Sequence, residues 1–183
     1  DHEIVPDRIE AGSFAIASGM TKGNIEITHI RPKDLDFFLK VLNYTGSEIK
    51  IDTNSINITS SKRPEPYDIV TQTHPGFPTD LQAQYMALMS IANGSAFIKE
   101  TIFENRFMHV PELLRMGANV SIKNQIASII GVKELKGSKV MASDLRASMS
   151  LILAALAALG TSEIDGIHHL DRGYEKIEDK LSN

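Results

Sequence analysis

Along the chain, three acidic residues are each followed by a run of apolar and small residues at helical spacing. They are Asp7 in PDRIEAGSFAIASGMTKGN, Asp80 in PTDLQAQYMALMSIANGS and Asp144 in ASDLRASMSLILAALAALGTS, and the runs close on Gly23, Gly94 and Gly160. An acid in the first turn complements the positive end of the helix dipole. A glycine past the last turn accepts the left-handed backbone that ends a helix. Beyond each glycine the apolar period shortens to two, in NIEITHI, SAFIKETIF and TSEIDGI, which predicts a strand. A second helical pattern follows over Pro32 to Leu42, His109 to Arg115 and Tyr174 to Leu181. In the first two units it leads to a pair of short strands, SEIKIDTNSINIT and NVSIKNQIASIIG.

This recurrence predicts one α/β domain made of three βαβαββ-like repeats, spanning approximately 1–63, 64–133 and 134–183. Gly46 and Gly117 follow Gly23 and Gly94 at the same interval, which would put the third such turn at position 183. The third repeat is therefore expected to stop before its hairpin, leaving an unpaired sheet edge. The first helix of each unit is apolar nearly all round, as where alanines fill the faces left by Leu145, Met149, Ile152, Leu153, Leu156 and Leu159. The second is amphipathic, with Leu35, Phe38, Leu39 and Leu42 set against Asp34, Asp36 and Lys40. First helices are expected inside and second helices outside. Met86 and Met89, beside Tyr85 and Leu88, read as core filler, and SSKRPEP (60–66) as a turn between repeats.

With 183 residues, 42% apolar and 23% charged, the chain can bury a sizeable core. A net charge of −4 argues against a phosphate-backbone binder, so nucleic acid is not an expected partner. The absence of cysteine removes disulfides, thiolate metal sites and a cysteine nucleophile from this chain. The uncharged stretch Ala147 to Ser162 has 16 residues, short of the roughly 20 a membrane span needs. It reads as a helix buried on all sides. DHEIVPDRIEAG lacks the basic and apolar regions of a signal peptide, so no export signal is expected.

Candidate chemistry collects at helix starts, where backbone N–H groups favour anions. The stretch PGFPTD brings two prolines and a glycine to Asp80, with Thr79 placed to cap the helix. Locally, Asp80 is explained as well by a helix-start acid as by a general base. Asp144 with Arg146 reads first as a cap and a surface cation, and Asp171-Arg172-Gly173 as a solvated turn. Arg106 and Arg115 add planar forks suited to carboxylates and phosphates. The His168-His169 pair lacks a second ligand cluster at metal spacing, so no metal is expected. No GxGxxG, P-loop, HExxH or GxSxG element is present.

Taken together and in this order, PGFPTDLQAQY, ETIFENRFMHVPELLRMGA, VMASDLRASMSL and HHLDRGYEKIEDKL resemble the enolpyruvyl transferase family over essentially the whole chain. ENRFMHVPEL and DRGYEKIEDKL favour its cell-wall branch, at the head of bacterial peptidoglycan synthesis. The resemblance implies an inside-out α/β barrel domain of three units, a cytoplasmic location, no cofactor, and transfer of the enolpyruvyl group of phosphoenolpyruvate to the 3-hydroxyl of UDP-N-acetylglucosamine. It implies that Asp80 accepts the hydroxyl proton and that Arg172 meets phosphoenolpyruvate on closure. Asp144, Arg146 and Arg106 are implied near the reacting centre, and Thr101, Ile102 and Phe103 along the sugar nucleotide. It further implies a second domain, N-terminal and not recognisable in this chain, carrying a loop cysteine or aspartate, a lysine and further arginines. Without that domain the chain is expected to be catalytically silent. Two alternatives stand: the sister synthase acting on shikimate 3-phosphate, and a non-catalytic binding module.

Overall fold

The protein is described by a computed structural model over residues 4–182. In chain order its elements are α1 (Arg8–Thr21), β1 (Asn24–Thr28), α2 (Asp36–Tyr44), β2 (Glu48–Ile51), β3 (Ser55–Thr59), β4 (Ile69–Val70), α3 (Gln82–Ser90), β5 (Ser95–Lys99) and α4 (Val110–Arg115). These are followed by β6 (Asn119–Lys123), β7 (Ile126–Ile130), β8 (Lys139–Met141), α5 (Leu145–Ala157), β9 (Glu163–Asp165) and α6 (Ile177–Leu181). The turn expected at position 183 lies outside the described residues.

Two of the three helix-opening acids act as caps. The Asp7 carboxylate accepts the N–H groups of Ile9 (2.7 Å) and Glu10 (3.2 Å), and that of Asp144 accepts Arg146 (2.8 Å) and Ala147 (3.0 Å). The helix around Asp80 begins differently, through a 3-10 turn over Thr79–Leu81 with Pro78 at the cap and no side-chain cap bond. Thr79 therefore does not cap, contrary to expectation. Its hydroxyl is committed to Glu100 instead. At the other end of α1, Lys22 rather than Gly23 takes the left-handed conformation (φ 56°). α3 and α5 end at Ser90 and Ala157, short of Gly94 and Gly160. Gly46 and Gly117 do occupy the left-handed position just past α2 and α4 (φ 99° and 88°).

Among the described residues the strands form three separate sheets, ordered β1-β3-β2, β4-β5-β7-β6 and β8-β9, and no closed one. β4–β5 and β8–β9 pair in parallel; the other pairs are antiparallel. Register places Ile25 opposite Ile58 and Ala96 opposite Ile129, so one face of each larger sheet turns to the core. That core is built on α1, α3 and α5, which pack against one another. All nine residues of α3 are buried. A Cβ on Gly12 would stand 2.5 Å from Leu81 Cδ1 and one on Gly19 2.9 Å from Leu88 Cδ1, so these glycines set the approach of α1 to α3.

Met86 and Met89 are fully buried, and α2 lies outside with Phe38, Leu39, Val41 and Leu42 inward. α5 corrects one expectation: Leu156 near its C-terminal end and Leu159 just beyond it are exposed, so the stretch is not buried on all sides. No helix among the described residues is long and apolar enough to cross a membrane. The joint at SSKRPEP is more than a turn. Arg63 donates from Nε to the Ile91 carbonyl (2.8 Å) and from Nη2 to those of Ala92 (2.7 Å), Val132 (2.8 Å) and Gly131 (3.3 Å).

Candidate functional site

The approach to Asp80 is held at each step. Gln72 N–H donates to the Phe77 carbonyl (2.9 Å) and Gly76 N–H to that of Thr73 (2.8 Å). A Cβ at Gly76 would stand 2.5 Å from Gln72 Cβ, so only glycine fits this loop without a shift. Phe77 is fully buried between Phe38 and Tyr85, with ring centroids 5.9 and 5.2 Å away. Asp80 follows Pro78 and Thr79 from this anchor and, unlike Asp7 and Asp144, does not spend its carboxylate on helix N–H groups.

Two arginines take that place. Asp80 Oδ1 accepts from Arg106 Nη2 (3.0 Å) and Arg146 Nε (3.3 Å). The arginine side chains are 16% and 18% exposed, against 40% for Asp80. Oδ2 accepts no hydrogen bond among the described residues. The result is a carboxylate fixed through one oxygen by charge-assisted bonds, with its other oxygen open to an incoming donor.

Each arginine is itself held. Arg106 lies over the Phe103 ring (4.7 Å to the centroid) and donates from Nε to Thr79 Oγ1 (3.2 Å). Arg146 sits in the first turn of α5, where the Asp144 cap fixes its backbone. Behind it, the buried Tyr174 phenol shares a hydrogen bond with Ser13 Oγ (2.8 Å) and accepts from Gln84 Nε2 (3.2 Å). Burial raises the pKa of this phenol, opposed by Ser13, Arg146 and Gln84.

The fold thus brings together Asp80, Arg106 and Arg146, which are distant in sequence. Asp144 takes the structural alternative, a helix cap, while Arg146 is no free surface cation. Arg172 ends a 3-10 turn over Ile167–Arg172, and its exposed guanidinium makes no hydrogen bond or ion pair with a described residue. Arg115 points outward to Glu112 (3.5 Å). Ile102 and Phe103 are exposed on the loop after β5, where Ile102 borders an open cleft of about 500 Å³ lined also by Phe37, His74 and Thr101.

Two buried groups escaped the sequence reading. Glu100 is 1% exposed and hydrogen-bonded on both oxygens. His109 is buried with Nε2 unpartnered, and burial pushes its pKa down to about 4; Arg106 acts in the same direction, Asp144 and a backbone hydrogen bond to Arg106 against it. The alternation of SAFIKE assigns Glu100 the inward phase of Ala96 and Ile98, a signal that a buried acid is present. His109 had no such marker.

The chain is similar over its whole length to known proteins. Residues 1–181 match the family model described as EPSP synthase (3-phosphoshikimate 1-carboxyvinyltransferase). The chain is 52% identical over 181 residues to the UDP-N-acetylglucosamine 1-carboxyvinyltransferase of Geobacter metallireducens, covering 99% of this chain and 43% of that protein. It is 54% identical over 181 residues to the enzyme of that name in Pelagibacter ubique, with the same coverage. The chain spans less than half the length of these curated relatives. Among solved structures, the enolpyruvyl transferase NikO from Streptomyces tendae superposes with a TM-score of 0.89 at 26% identity, over 100% of this chain and 43% of that one. EPSP synthase from Acinetobacter baumannii gives 0.67 at 14% identity, over 89% of this chain and 39% of that one, a likeness of fold. The chain belongs to the EPSP synthase (3-phosphoshikimate 1-carboxyvinyltransferase) family.

Proposed function

We propose that this chain is one domain of a bacterial, cytoplasmic enzyme that transfers the enolpyruvyl group of phosphoenolpyruvate to the 3-hydroxyl of UDP-N-acetylglucosamine, releasing phosphate and opening peptidoglycan synthesis. The observation that carries the reading is the Asp80 carboxylate, held through Oδ1 by two arginines and open at Oδ2. The names of the relatives, at about half identity, favour the sugar nucleotide as acceptor. On this reading the hydroxyl oxygen bonds to C2 of phosphoenolpyruvate while Asp80 takes its proton and an acid assigned to the complementary domain protonates C3. Phosphate then leaves C2, and return of a C3 proton to that group restores the double bond.

A base must lie within hydrogen-bond reach of the proton it removes, and a carboxylate anchored through one oxygen by two arginines supplies that geometry. Arg106 and Arg146 give the site the positive charge an anionic substrate requires. Arg172, unengaged by any described residue, is assigned to phosphoenolpyruvate on closure. Asp144 is assigned the support of Arg146, and Ile102 and Phe103 the wall along the sugar nucleotide. The remaining charge partners are assigned to a complementary domain. We read the chain itself as an inside-out α/β barrel of three βαβαββ-like units, near 1–63, 64–133 and 134–183, with α1, α3 and α5 inside.

Phosphate release from phosphoenolpyruvate tests the reading, in the full-length protein that contains this chain, with UDP-N-acetylglucosamine or shikimate 3-phosphate as acceptor. Release is expected only with the sugar nucleotide, and Asp80→Asn is expected to lower kcat by about 10²–10⁴. Release only with shikimate 3-phosphate would transfer the assignment to the sister reaction. A variant as fast as the parent would remove Asp80 from the proton transfer.

A further inference from the structure

Glu100, at the end of β5, is the most deeply buried acid of the site and belongs to neither the proton acceptor nor its arginines. A buried carboxylate is costly unless its oxygens are occupied. Oε1 accepts from Thr71 Oγ1 (2.8 Å), Ile102 N–H (2.8 Å) and Phe103 N–H (3.1 Å), and Oε2 from Thr79 Oγ1 (2.9 Å). No cation is ion-paired to it among the described residues.

One carboxylate therefore governs two neighbourhoods. The Thr79 hydroxyl has a single proton, and giving it to Glu100 turns a lone pair toward Arg106 Nε (3.2 Å), whose Nη2 holds Asp80. On the other oxygen, two successive backbone N–H groups fix the loop that presents Ile102 and Phe103, the latter beneath Arg106. Thr71 braces the same loop, with its Oγ1 accepting from Thr101 N–H (2.8 Å) and its carbonyl from Thr101 Oγ1 (2.5 Å).

We infer that Glu100 is a positioning residue: it orients Thr79 so that Arg106 aims the Asp80 carboxylate, and it sets the Ile102–Phe103 wall, coupling the acceptor's seat to the proton acceptor. The inference rests on the function proposed above. A glutamine at 100 keeps the shape but replaces one acceptor with a donor: on the Oε1 side its N–H groups would face the Thr71 hydroxyl and the Ile102 and Phe103 N–H groups, and on the Oε2 side the Thr79 hydroxyl, which would have to turn its own proton away. Thr79→Val removes the hydrogen bond to Glu100 Oε2 together with the link to Arg106, and leaves the loop bonds to Oε1 intact.

The experiment compares Glu100→Gln and Thr79→Val in the full-length protein by steady-state kinetics, thermal unfolding, and the solvent-exchange rate of Arg106 Nε–H by NMR. Thr79→Val should lower kcat about tenfold to a hundredfold with the KM for UDP-N-acetylglucosamine within about twofold, because an ångström of misplacement suffices for such a loss. Glu100→Gln should show a similar loss in kcat together with about a tenfold rise in that KM. Both should speed Arg106 Nε–H exchange. Parental kcat and KM in Glu100→Gln, with only a lower melting temperature, would make Glu100 a stability residue and overturn the inference. Should Glu100→Gln fail to fold, Thr79→Val decides: a parental kcat refutes the relay. If the parent releases no phosphate with the sugar nucleotide, the function falls separately. The Arg106 exchange rate then decides for Glu100, with unchanged exchange in both variants refuting it.

Discussion

Asp7, Asp80 and Asp144 hold the same place in three similar stretches, yet their carboxylates do different things. Asp7 and Asp144 satisfy two helix N–H groups each, whereas the 3-10 entry through Pro78 and Thr79 leaves Asp80 to the arginines. One backbone difference thus separates a cap from a site. The environment of His109 makes a second residue-level statement testable. Folded, its pKa is pushed down to about 4 by burial; unfolded, it returns near the ordinary 6.5. Between those values the unfolded chain binds the proton and the folded one does not. The stability present above pH 6.5 is therefore lost as pH falls toward 4, by roughly 3 kcal/mol over the whole window. Urea unfolding at pH 7 and pH 5 should show about 2 kcal/mol of acid loss in the parent that is missing from His109→Gln. Equal losses in the two proteins would mean that His109 does not titrate this way.

At the scale of elements, period and turn chemistry located most of the fold. The alternation in NIEIT and SAFIK and both hairpins became β1, β5, β2–β3 and β6–β7, and the turns at Gly46 and Gly117 have the expected left-handed backbone. What local pattern could not supply was pairing over distance. β4 is only two residues long and β8 three, and each exists through a parallel partner far along the chain. The Asp80 cluster is of the same kind: Asp80 itself was legible from its stiff approach, but its bonds to Arg106 and Arg146 span 26 and 66 residues. Arg63 was hidden for the same reason. Its fork satisfies carbonyls at the end of α3 and just past β7, where a helix leaves its last acceptors unpaired. Arg63→Ala should therefore lower the unfolding free energy by about 3 kcal/mol, since several charge-assisted bonds are lost at once, as denaturant titration would measure. Arg63→Lys should recover only part of it, because an ammonium cannot reproduce the fork. A change within about 0.5 kcal/mol for Arg63→Ala would place the joint outside the cooperative structure.

For the molecule as a whole, the core and the site make opposite demands. The three inner helices bury their apolar surface against one another and against the inward faces of the sheets, so the chain contains its own core. The site does not close in the same way. The Asp80 side chain is partly exposed and Ile102, Phe103 and Arg172 are exposed, so water competes for each bond a substrate would make. Charge is worth far more to a transition state in a site from which water is excluded. Given that the chain spans 43% of its relatives' length, closure is assigned to the complementary domain. The 183-residue chain should consequently unfold in one cooperative step yet release no phosphate from phosphoenolpyruvate and UDP-N-acetylglucosamine, while the full-length protein does. Denaturant unfolding followed by two probes, with a phosphate assay on both proteins, separates the two claims. Non-coincident unfolding would mean that the core depends on the complementary domain. Turnover by the isolated chain would mean that Asp80 and its arginines suffice, and that closure by a second domain is not what makes the site work.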